Sequence, residues 1–442
     1  MAKISANAVR NTIEKRMLAD GFEPVIDLKK SHGSWFVDKR DGKEYLDLFS
    51  MFASMPIGYN HPYLLERADK FRDVAINKPT NSDIYSTEMA EFVDTMARVA
   101  QPSYLPYAFY ISGGALGVEN ALKAAFDWKV RKNIEKGNGE LGSKVIHFYG
   151  CFHGRTGYTL SLTNSHDERK TMYFPQFEWP RISTPSINFP LNTENLKSVQ
   201  VREKQAIDEI NKAINDNPND IAALIIEPIQ GEGGDNHFRT EFMKELRIIC
   251  DENDIMFIFD EVQTGIGITG KMWAHEHFGD EVLPDMICFG KKTQVCGFFS
   301  SKRIDEVENN VFHESARLNS TWGGNLVDMV RFSMYLEVIE QEKLVDKASV
   351  SGEYLLQEIN KIQSDFPNVI YNSRGKGLFC AFDLESGEKR DKLRGLIQEE
   401  GAIMLGCGPK TIRFRPPLNI SNDEIDFGIA SIRRALKRLC VS

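Results

Sequence analysis

The chain has 442 residues, of which 42% are hydrophobic and 26% are charged, and its formal net charge is −9. This composition is typical of a globular protein and excludes collagen-like and low-complexity classes. The length is about three times a typical domain of roughly 150 residues, so we expect more than one domain. The acidic balance argues against nucleic acid or an anionic membrane as a partner, because both attract positively charged surfaces.

Seven cysteines are scattered along the chain without a Cys-x-x-Cys pair. We do not expect the first residues to be a secretory leader. The cysteine pattern therefore indicates reduced thiols and a cytoplasmic location rather than a disulfide framework. No apolar stretch approaches the roughly 20 residues that a membrane helix needs, so we expect no membrane partner.

Apolar runs alternate with amphipathic segments of helical length through the middle of the chain. A hairpin is predicted first, around the Asp41-Gly42 turn. The alternation that follows predicts a largely parallel sheet covered by helices on both faces, hence an α/β fold. The apolar runs are residues 107–111, 145–148, 222–226, 255–259 and 286–289.

The two ends of the chain differ from this middle part. From Leu326 onward a long helical pattern leads to short predicted strands at 377–384 and 411–415. We therefore predict a large ligand-binding domain at 71–325. We expect residues 1–70 to join residues 326–442 in a smaller α+β domain. Ligands of open α/β sheets bind at the carboxyl ends of the strands, so the motifs at those ends carry the functional argument.

A glycine-rich turn, Ser112-Gly113-Gly114-Ala115-Leu116, follows the first run and leads into a helical pattern. Such a turn presents free backbone N–H groups and the positive end of a helix dipole, which suits a phosphate. A tight strand-to-helix connection would look the same. The G-x-G-x-x-G spacing of a dinucleotide site is absent, which disfavours an NAD-binding protein.

Two charged residues stand at the ends of apolar runs. Asp260 directly follows the run 255–259, and Lys291 follows the run 286–289 after one glycine. The alternatives are a helix cap for Asp260 and a solvated Lys291-Lys292 pair. Burial lowers the pKa of a lysine and makes its neutral amine available for chemistry. Pyridoxal phosphate requires an amine, an acid facing its ring nitrogen and a phosphate site. The chain provides all three at strand ends, which favours a pyridoxal-phosphate enzyme over a non-catalytic protein.

Several stretches resemble the class III aminotransferases, which are pyridoxal-phosphate enzymes of fold type I. They include Phe-His-Gly-Arg at 152–155, Glu-Pro-Ile-Gln at 227–230, Asp-Glu-Val-Gln at 260–263 and Phe-Gly-Lys-Lys at 289–292. The resemblance runs nearly end to end, from residue 32 to residue 417. It implies the fold type I architecture, a large mostly parallel sheet domain plus a smaller α+β domain.

The resemblance also implies roles for individual residues. Lys291 would hold the cofactor covalently and move the proton, and Asp260 would keep the ring nitrogen protonated. The other cofactor contacts that it implies are Gly114 and Ala115 at the phosphate, Phe152 and Val262 on the two ring faces, Gln263 at the phenolic oxygen, His153 and Glu227 nearby, and Ser320 and Thr321 from the second subunit of a homodimer.

The substrates implied by the resemblance are L-lysine, whose ε-amino group would be transferred, and 2-oxoglutarate as the acceptor. Arg155 would bind a distal carboxylate. Glu232 would neutralise Arg413 while lysine is bound and swing away so that Arg413 can bind the α-carboxylate of 2-oxoglutarate. 4-Aminobutyrate and ornithine stay open as alternative donors, because the sequence does not show the room for the α-ammonium of lysine.

A metal site at His275-Glu276-His277 is not expected. Two residues separated by one position on a helix point to different faces and do not converge on one ion.

Overall fold

A seven-stranded sheet forms the centre of the molecule in the computed structural model, which describes residues 4–441. Every neighbouring pair is parallel except those that involve Cys296–Ser300, which runs antiparallel to both of its neighbours. The prediction of a large, mostly parallel sheet is confirmed. In spatial order the strands are Tyr107–Ile111, Cys296–Ser300, Met286–Phe289, Met256–Asp260, Ile221–Ile226, Lys144–Phe148 and Arg181–Ile182.

Alternating side chains of this sheet enter two separate hydrophobic cores. Leu224 and Ile226 belong to one core, whereas Ala223 and Ile225 of the same strand belong to the other. Because successive residues of a strand point to opposite faces, a strand that is apolar throughout must be covered on both sides. The helix Gly114–Glu135 covers the second core.

Helices account for most of the regular secondary structure outside this sheet. None of them within residues 4–441 is long and apolar enough to cross a bilayer. The helices are Val9–Glu14, Pro62–Leu65, Lys70–Ile76, Thr87–Val99, Gly114–Glu135, Gly157–Leu162, Thr193–Asp216, Thr240–Glu252, Leu326–Gln341, Leu344–Asp365, Gly387–Glu399 and Asn422–Val441.

Three smaller sheets surround the central one. The predicted hairpin forms from Trp35–Val37 and Glu44–Asp47, and Ala402–Ile403 adds to it in parallel, so both ends of the chain share one sheet. A domain division at residues 70 and 325 stays a prediction. The second sheet is antiparallel, in the order Tyr371–Lys376, Phe379–Asp383, Thr411–Phe414, Leu405–Cys407, and the third pairs Ile229–Gln230 with Asn236–His237.

Candidate active site

The parallel pairing of two central strands brings Asp260 and Lys291 to the same sheet edge. Cys288 lies opposite Asp260 in the ladder, and Lys291 opens a 3₁₀ turn just beyond that strand. A Cβ atom added to Gly290 would lie 3.3 Å from Cα of Gly114 and 3.3 Å from Cγ1 of Val262. The lysine turn, the glycine-rich turn and the segment after Asp260 therefore meet at one point.

The two adjacent lysines differ in what their amines contact. Nζ of Lys292 donates a hydrogen bond to the backbone oxygen of Gln263 at 2.6 Å, and Lys292 is 2% exposed. Nζ of Lys291 has no hydrogen-bond or ion-pair partner among residues 4–441. Burial lowers the pKa of Lys291, although the charge of Asp260 opposes this. Lys291 is therefore the amine that is available for chemistry.

Asp260 is held in one orientation by two hydrogen bonds. Its Oδ2 lies 2.7 Å from Nδ1 of His153, and its Oδ1 accepts from the backbone N–H of Val262 at 3.0 Å. Burial alone would lower the pKa of His153, but the interactions of His153 with Cys151 and Asp260 outweigh burial, and the pKa is raised well above its ordinary value. The acid is thus fixed at the sheet edge.

Glu227 acts on the backbone around it. Its two carboxylate oxygens accept hydrogen bonds from the N–H groups of Phe152 and Gly231, each at 2.9 Å. Burial raises its pKa to about 7, and the nearby charge of Asp260 adds to this while His153 opposes it. Glu227 therefore fixes the backbone of Phe152, which is predicted from the family resemblance to lie on one face of the cofactor.

The helix Gly114–Glu135 begins at the glycine-rich turn, and Gly113 before it has a φ of 106°, which favours glycine. No side chain in the described part of the chain caps this helix start. A Cβ atom on Gly154 would lie 2.5 Å from that of Ala115, so the helix start packs against the 152–155 segment. Its free N–H groups suit a phosphate.

A buried ion pair orients Gln263. Asp235 and Arg415 form two hydrogen bonds, at 2.9 and 2.5 Å, and both side chains are 1% exposed. Nε of Arg415 donates to Oε1 of Gln263 at 3.3 Å. The amide NH₂ group of Gln263 is therefore left to donate to another acceptor.

Glu232 joins Arg413 to a third residue that the sequence did not single out. Its Oε2 lies 3.3 Å from Nη2 of Arg413, and its Oε1 accepts from Nζ of Lys170 at 2.7 Å. Burial would raise the pKa of Glu232, but the charges of Arg413 and Lys170 lower it below its ordinary value. Lys170 lies in a polar loop and carries no local signal of this contact.

Arg155 is exposed, and its guanidinium carbon lies 5.8 Å from the centroid of the Phe152 ring. Ser320 and Thr321 are not brought to the Lys291 turn by any contact within the described chain. Ser320 accepts a hydrogen bond from the N–H of Gly323, and the backbone oxygen of Thr321 accepts one from Ser82. Their predicted role in a second subunit stays a prediction.

A left-handed turn next to the lysine turn was not predicted. Residues 50–53 all have positive φ values, from 39° to 63°, and none is a glycine, so the sequence carried no signal for it. Oγ of Ser50 donates to the backbone oxygen of Arg415, and Nε2 of Gln294 donates to that of Ser54, both at 2.6 Å. Such strain is typical of functional sites.

His275 has both ring nitrogens engaged, one by Glu261 and one by the hydroxyl of Tyr104. Within residues 4–441 no group of three or more His, Cys, Asp or Glu side chains is arranged to hold a metal ion.

The geometry fits pyridoxal phosphate. An amine without a partner, a fixed carboxylate, an uncapped helix start and an oriented amide donor lie around one point. Lys291, Asp260, Gly114 and Gln263 would hold the aldehyde carbon, the ring nitrogen, the phosphate and the phenolic oxygen respectively.

Known proteins are similar over nearly the whole chain. The family model for aminotransferase class III matches residues 18–436. L-lysine-epsilon aminotransferase of Mycobacterium tuberculosis is 48% identical over 432 residues, which cover 97% of this chain and 95% of that protein. Human mitochondrial 4-aminobutyrate aminotransferase is 33% identical over 420 residues, covering 90% and 82%.

A solved structure shows the same fold. Lysine aminotransferase from M. tuberculosis in the internal aldimine form has a TM-score of 0.96 at 47% identity, covering 99% of this chain and all of that one. The chain belongs to the class III aminotransferases, which are enzymes that depend on pyridoxal phosphate.

Proposed function

We propose that this enzyme transfers the ε-amino group of L-lysine to 2-oxoglutarate, giving glutamate and 2-aminoadipate 6-semialdehyde. The contact between Glu232 and Arg413 carries this proposal. The ε-carbon of lysine bears no carboxylate, so this donor suits an Arg413 that Glu232 has neutralised. The reacting carbon of 2-oxoglutarate does bear a carboxylate, so this acceptor needs an Arg413 that is free to bind it. The choice of lysine rests on the 48% identity to a lysine enzyme against 33% to a 4-aminobutyrate enzyme.

Pyridoxal phosphate, when bound, supplies an electron sink that stabilises negative charge on the carbon beside the amine. Nζ of Lys291 would accept the proton from that carbon and deliver it to the aldehyde carbon of the cofactor. Asp260, fixed by His153, would keep a positive charge on the ring nitrogen of the bound cofactor. At ~4 Å and an effective dielectric of 20 this interaction is on the order of 4 kcal/mol.

Substrate binding divides between two ends of the site. Arg155 binds the carboxylate that lies far from the reacting carbon, as a bidentate guanidinium can. In the lysine half-reaction Glu232 stays on Arg413. In the oxo-acid half-reaction Glu232 moves away and Arg413 binds the α-carboxylate. Nε and Nη1 of Arg413 are buried without a hydrogen-bond partner in the described chain, so they can serve an incoming carboxylate.

We further propose a homodimer with a shared active site, because among residues 4–441 of one chain Ser320 and Thr321 make no contact with the Lys291 turn. Thr321 is exposed in the single chain, and so is the neighbouring Trp322, at 47%. A cytoplasmic location is supported by the seven cysteines, all of which are free.

A panel of amines tests the lysine proposal. The purified holoenzyme is incubated with 2-oxoglutarate and either L-lysine, L-ornithine or 4-aminobutyrate, and glutamate is measured. We expect kcat/KM for L-lysine to exceed the other two by at least about tenfold, a difference of about 1.4 kcal/mol. A larger value for 4-aminobutyrate or ornithine would reject lysine as the donor. The Lys291→Ala variant is the control and should form no glutamate above background.

Truncation of the switch tests its assignment separately. Glu232→Ala leaves Arg413 charged and unpaired when lysine binds, so the lysine half-reaction should lose more than the glutamate half-reaction. Equal losses in both, measured by single-turnover kinetics, would count against the switch.

A further inference from the structure

Glu232 contacts two cations rather than one. Nζ of Lys170 lies 2.7 Å from Oε1, and Nη2 of Arg413 lies 3.3 Å from Oε2. The side chains of Lys170 and Glu232 are 18% and 26% exposed, whereas that of Arg413 is 4% exposed. The shorter of the two contacts is therefore the one nearer to solvent.

An open space adjoins the Lys170 side of the carboxylate. A cavity of about 570 Å³ is lined by Lys170, Glu232, Ser165, Arg394 and Gly406, among others. Arg413 is not among the described residues that line it. Glu232 therefore has room to move towards Lys170 and away from Arg413 without displacing packed side chains.

The charges explain why a second cation matters. If Glu232 left Arg413 without another partner, a partly buried carboxylate would be unpaired, which is unfavourable. Before the substrate binds, Lys170 and Arg413 share the carboxylate of Glu232. When the substrate carboxylate binds Arg413, two separate ion pairs result, one between Glu232 and Lys170 and one between the substrate and Arg413. The movement then leaves no buried charge without a partner.

We propose that Lys170 is a positioning residue of the switch, the cation that retains Glu232 when the second substrate's carboxylate occupies Arg413. This inference rests on the proposed function, since it assumes a substrate with a carboxylate beside the reacting carbon. Lys170 would therefore affect the half-reaction with 2-oxoglutarate and not the half-reaction with lysine. Lys170 acts through Glu232 and does not itself contact the substrate.

The first test removes the ammonium and keeps the length of the side chain. In Lys170→Met holoenzyme, Glu232 remains on Arg413 and competes with the incoming carboxylate. We expect KM for 2-oxoglutarate to rise about tenfold, while the rate of the lysine half-reaction changes by about twofold or less. Lys170→Arg should restore most of the difference. Equal changes in both half-reactions, or none, would overturn the proposal.

The control variant is Arg169→Met in the same loop. Its side chain is 84% exposed and pairs with Asp167, not with Glu232. It removes one positive charge from the same neighbourhood, so it reports any general effect of charge. We expect KM for 2-oxoglutarate to stay within twofold of the wild type. A tenfold rise here would show that the Lys170 effect is only long-range electrostatics.

A double-mutant cycle distinguishes positioning from direct binding. Glutarate, a five-carbon dicarboxylate without the oxo group, is titrated into the holoenzyme by calorimetry. Lys170→Met should weaken glutarate binding about tenfold in the wild-type background and less than twofold in the Glu232→Gln background, where Arg413 is already free. A tenfold weakening in both backgrounds would mean that Lys170 contacts the ligand itself, and would overturn the proposal.

The two assays separate this inference from the proposed function. If the enzyme forms no glutamate from L-lysine but the glutarate cycle behaves as expected, the donor is wrong and the role of Lys170 stands. If L-lysine is the best donor and the cycle shows no coupling between Lys170 and Glu232, the function stands and the role of Lys170 is rejected.

Discussion

Two glutamates five positions apart, Glu227 and Glu232, are perturbed in opposite directions. Burial acts against the charge of both. Within residues 4–441 the carboxylate of Glu227 accepts hydrogen bonds only from backbone N–H groups, and its pKa is raised to about 7. Glu232 has Arg413 and Lys170 beside it, and its pKa is lowered. At Glu227 burial and the charge of Asp260 outweigh the effect of His153, whereas at Glu232 the charges of Arg413 and Lys170 outweigh burial.

The difference separates a fixed part of the site from a movable one. Around Asp260, His153 and Glu227 every carboxylate is almost fully buried and bound to the backbone or to a ring nitrogen. Glu232 is a quarter exposed, adjoins a cavity and is shared by two cations. The fixed part suits proton chemistry that is common to both half-reactions, and the movable part suits a choice between two substrates.

The largest effect should follow from breaking the fixed part at Asp260. Asp260→Asn keeps the shape but removes the charge that holds the ring nitrogen protonated. Losing about 3–4 kcal/mol of that interaction lowers kcat by two to three decades. This loss of rate should be similar in both half-reactions, unlike the effect of a change at Lys170. Stopped-flow absorbance measures the rate of each half-reaction.

The matched control is Asp285→Asn, because Asp285 is a buried carboxylate at the opposite end of the same strands. It accepts hydrogen bonds from Arg247, Arg303 and the N–H of Phe257. Its loss should lower the free energy of unfolding by about 3 kcal/mol or more and leave kcat within about twofold. An Asp260→Asn enzyme with full turnover would remove Asp260 from the mechanism.

The opposite pKa shifts predict opposite effects of pH on stability. The folded protein retains a proton on Glu227 between about pH 4.5 and 7 that the unfolded chain has released. The free energy of unfolding should therefore fall as pH rises through this window, by about 3 kcal/mol from this group. The Glu227→Gln variant has no carboxyl group to titrate at this position. The difference in free energy of unfolding between wild type and variant, measured by urea titration, should therefore shrink by about 3 kcal/mol as pH rises from about 4.5 to 7.

Glu232 should behave in the reverse sense. Its lowered pKa means that its stabilising contribution is present above about pH 4.5 and is lost as pH falls through the folded-state value. Glu232→Gln should therefore lose stability relative to the wild type above pH 4.5 and approach it in acid. Parallel pH profiles for the two variants would refute the division into fixed and movable parts.

A smaller effect is expected where the helix Gly114–Glu135 packs against the strand Cys296–Ser300. A Cβ atom on Gly117 would lie 2.8 Å from the backbone oxygen of Gly297, so Gly117→Ala should destabilise the protein by about 1–3 kcal/mol despite its better helix propensity. Gly395→Ala is the control, since it meets nothing within 4 Å in a helix and should stabilise by up to about 1 kcal/mol. Thermal unfolding measures the stability of both variants. Stabilisation by Gly117→Ala would show that the helix can move away from the backbone oxygen of Gly297 at little cost.

The sequence predicted the fixed part better than the movable one. Asp260 and Lys291 follow apolar runs, and parallel pairing of such runs necessarily brings their ends together. Lys170 stands in a loop among Asp167, Glu168 and Arg169, and its partner is 62 positions away, so no local pattern distinguishes it.

Two backbone features were also missed. The antiparallel strand Cys296–Ser300 follows the lysine turn too closely for a helical crossover, so it pairs antiparallel with Met286–Phe289. The left-handed turn at residues 50–53 contains no glycine, so its conformation is imposed by contacts such as that of Ser50 with Arg415.

The attachment of the cofactor to Lys291 is the central claim, and borohydride reduction of the native holoenzyme tests it most directly. Peptide mapping with fragment-ion sequencing should place a pyridoxyl group on Lys291 and leave Lys292 unmodified, because Nζ of Lys292 is bound to Gln263. A pyridoxyl group on Lys292, or no adduct on either lysine, would contradict the account.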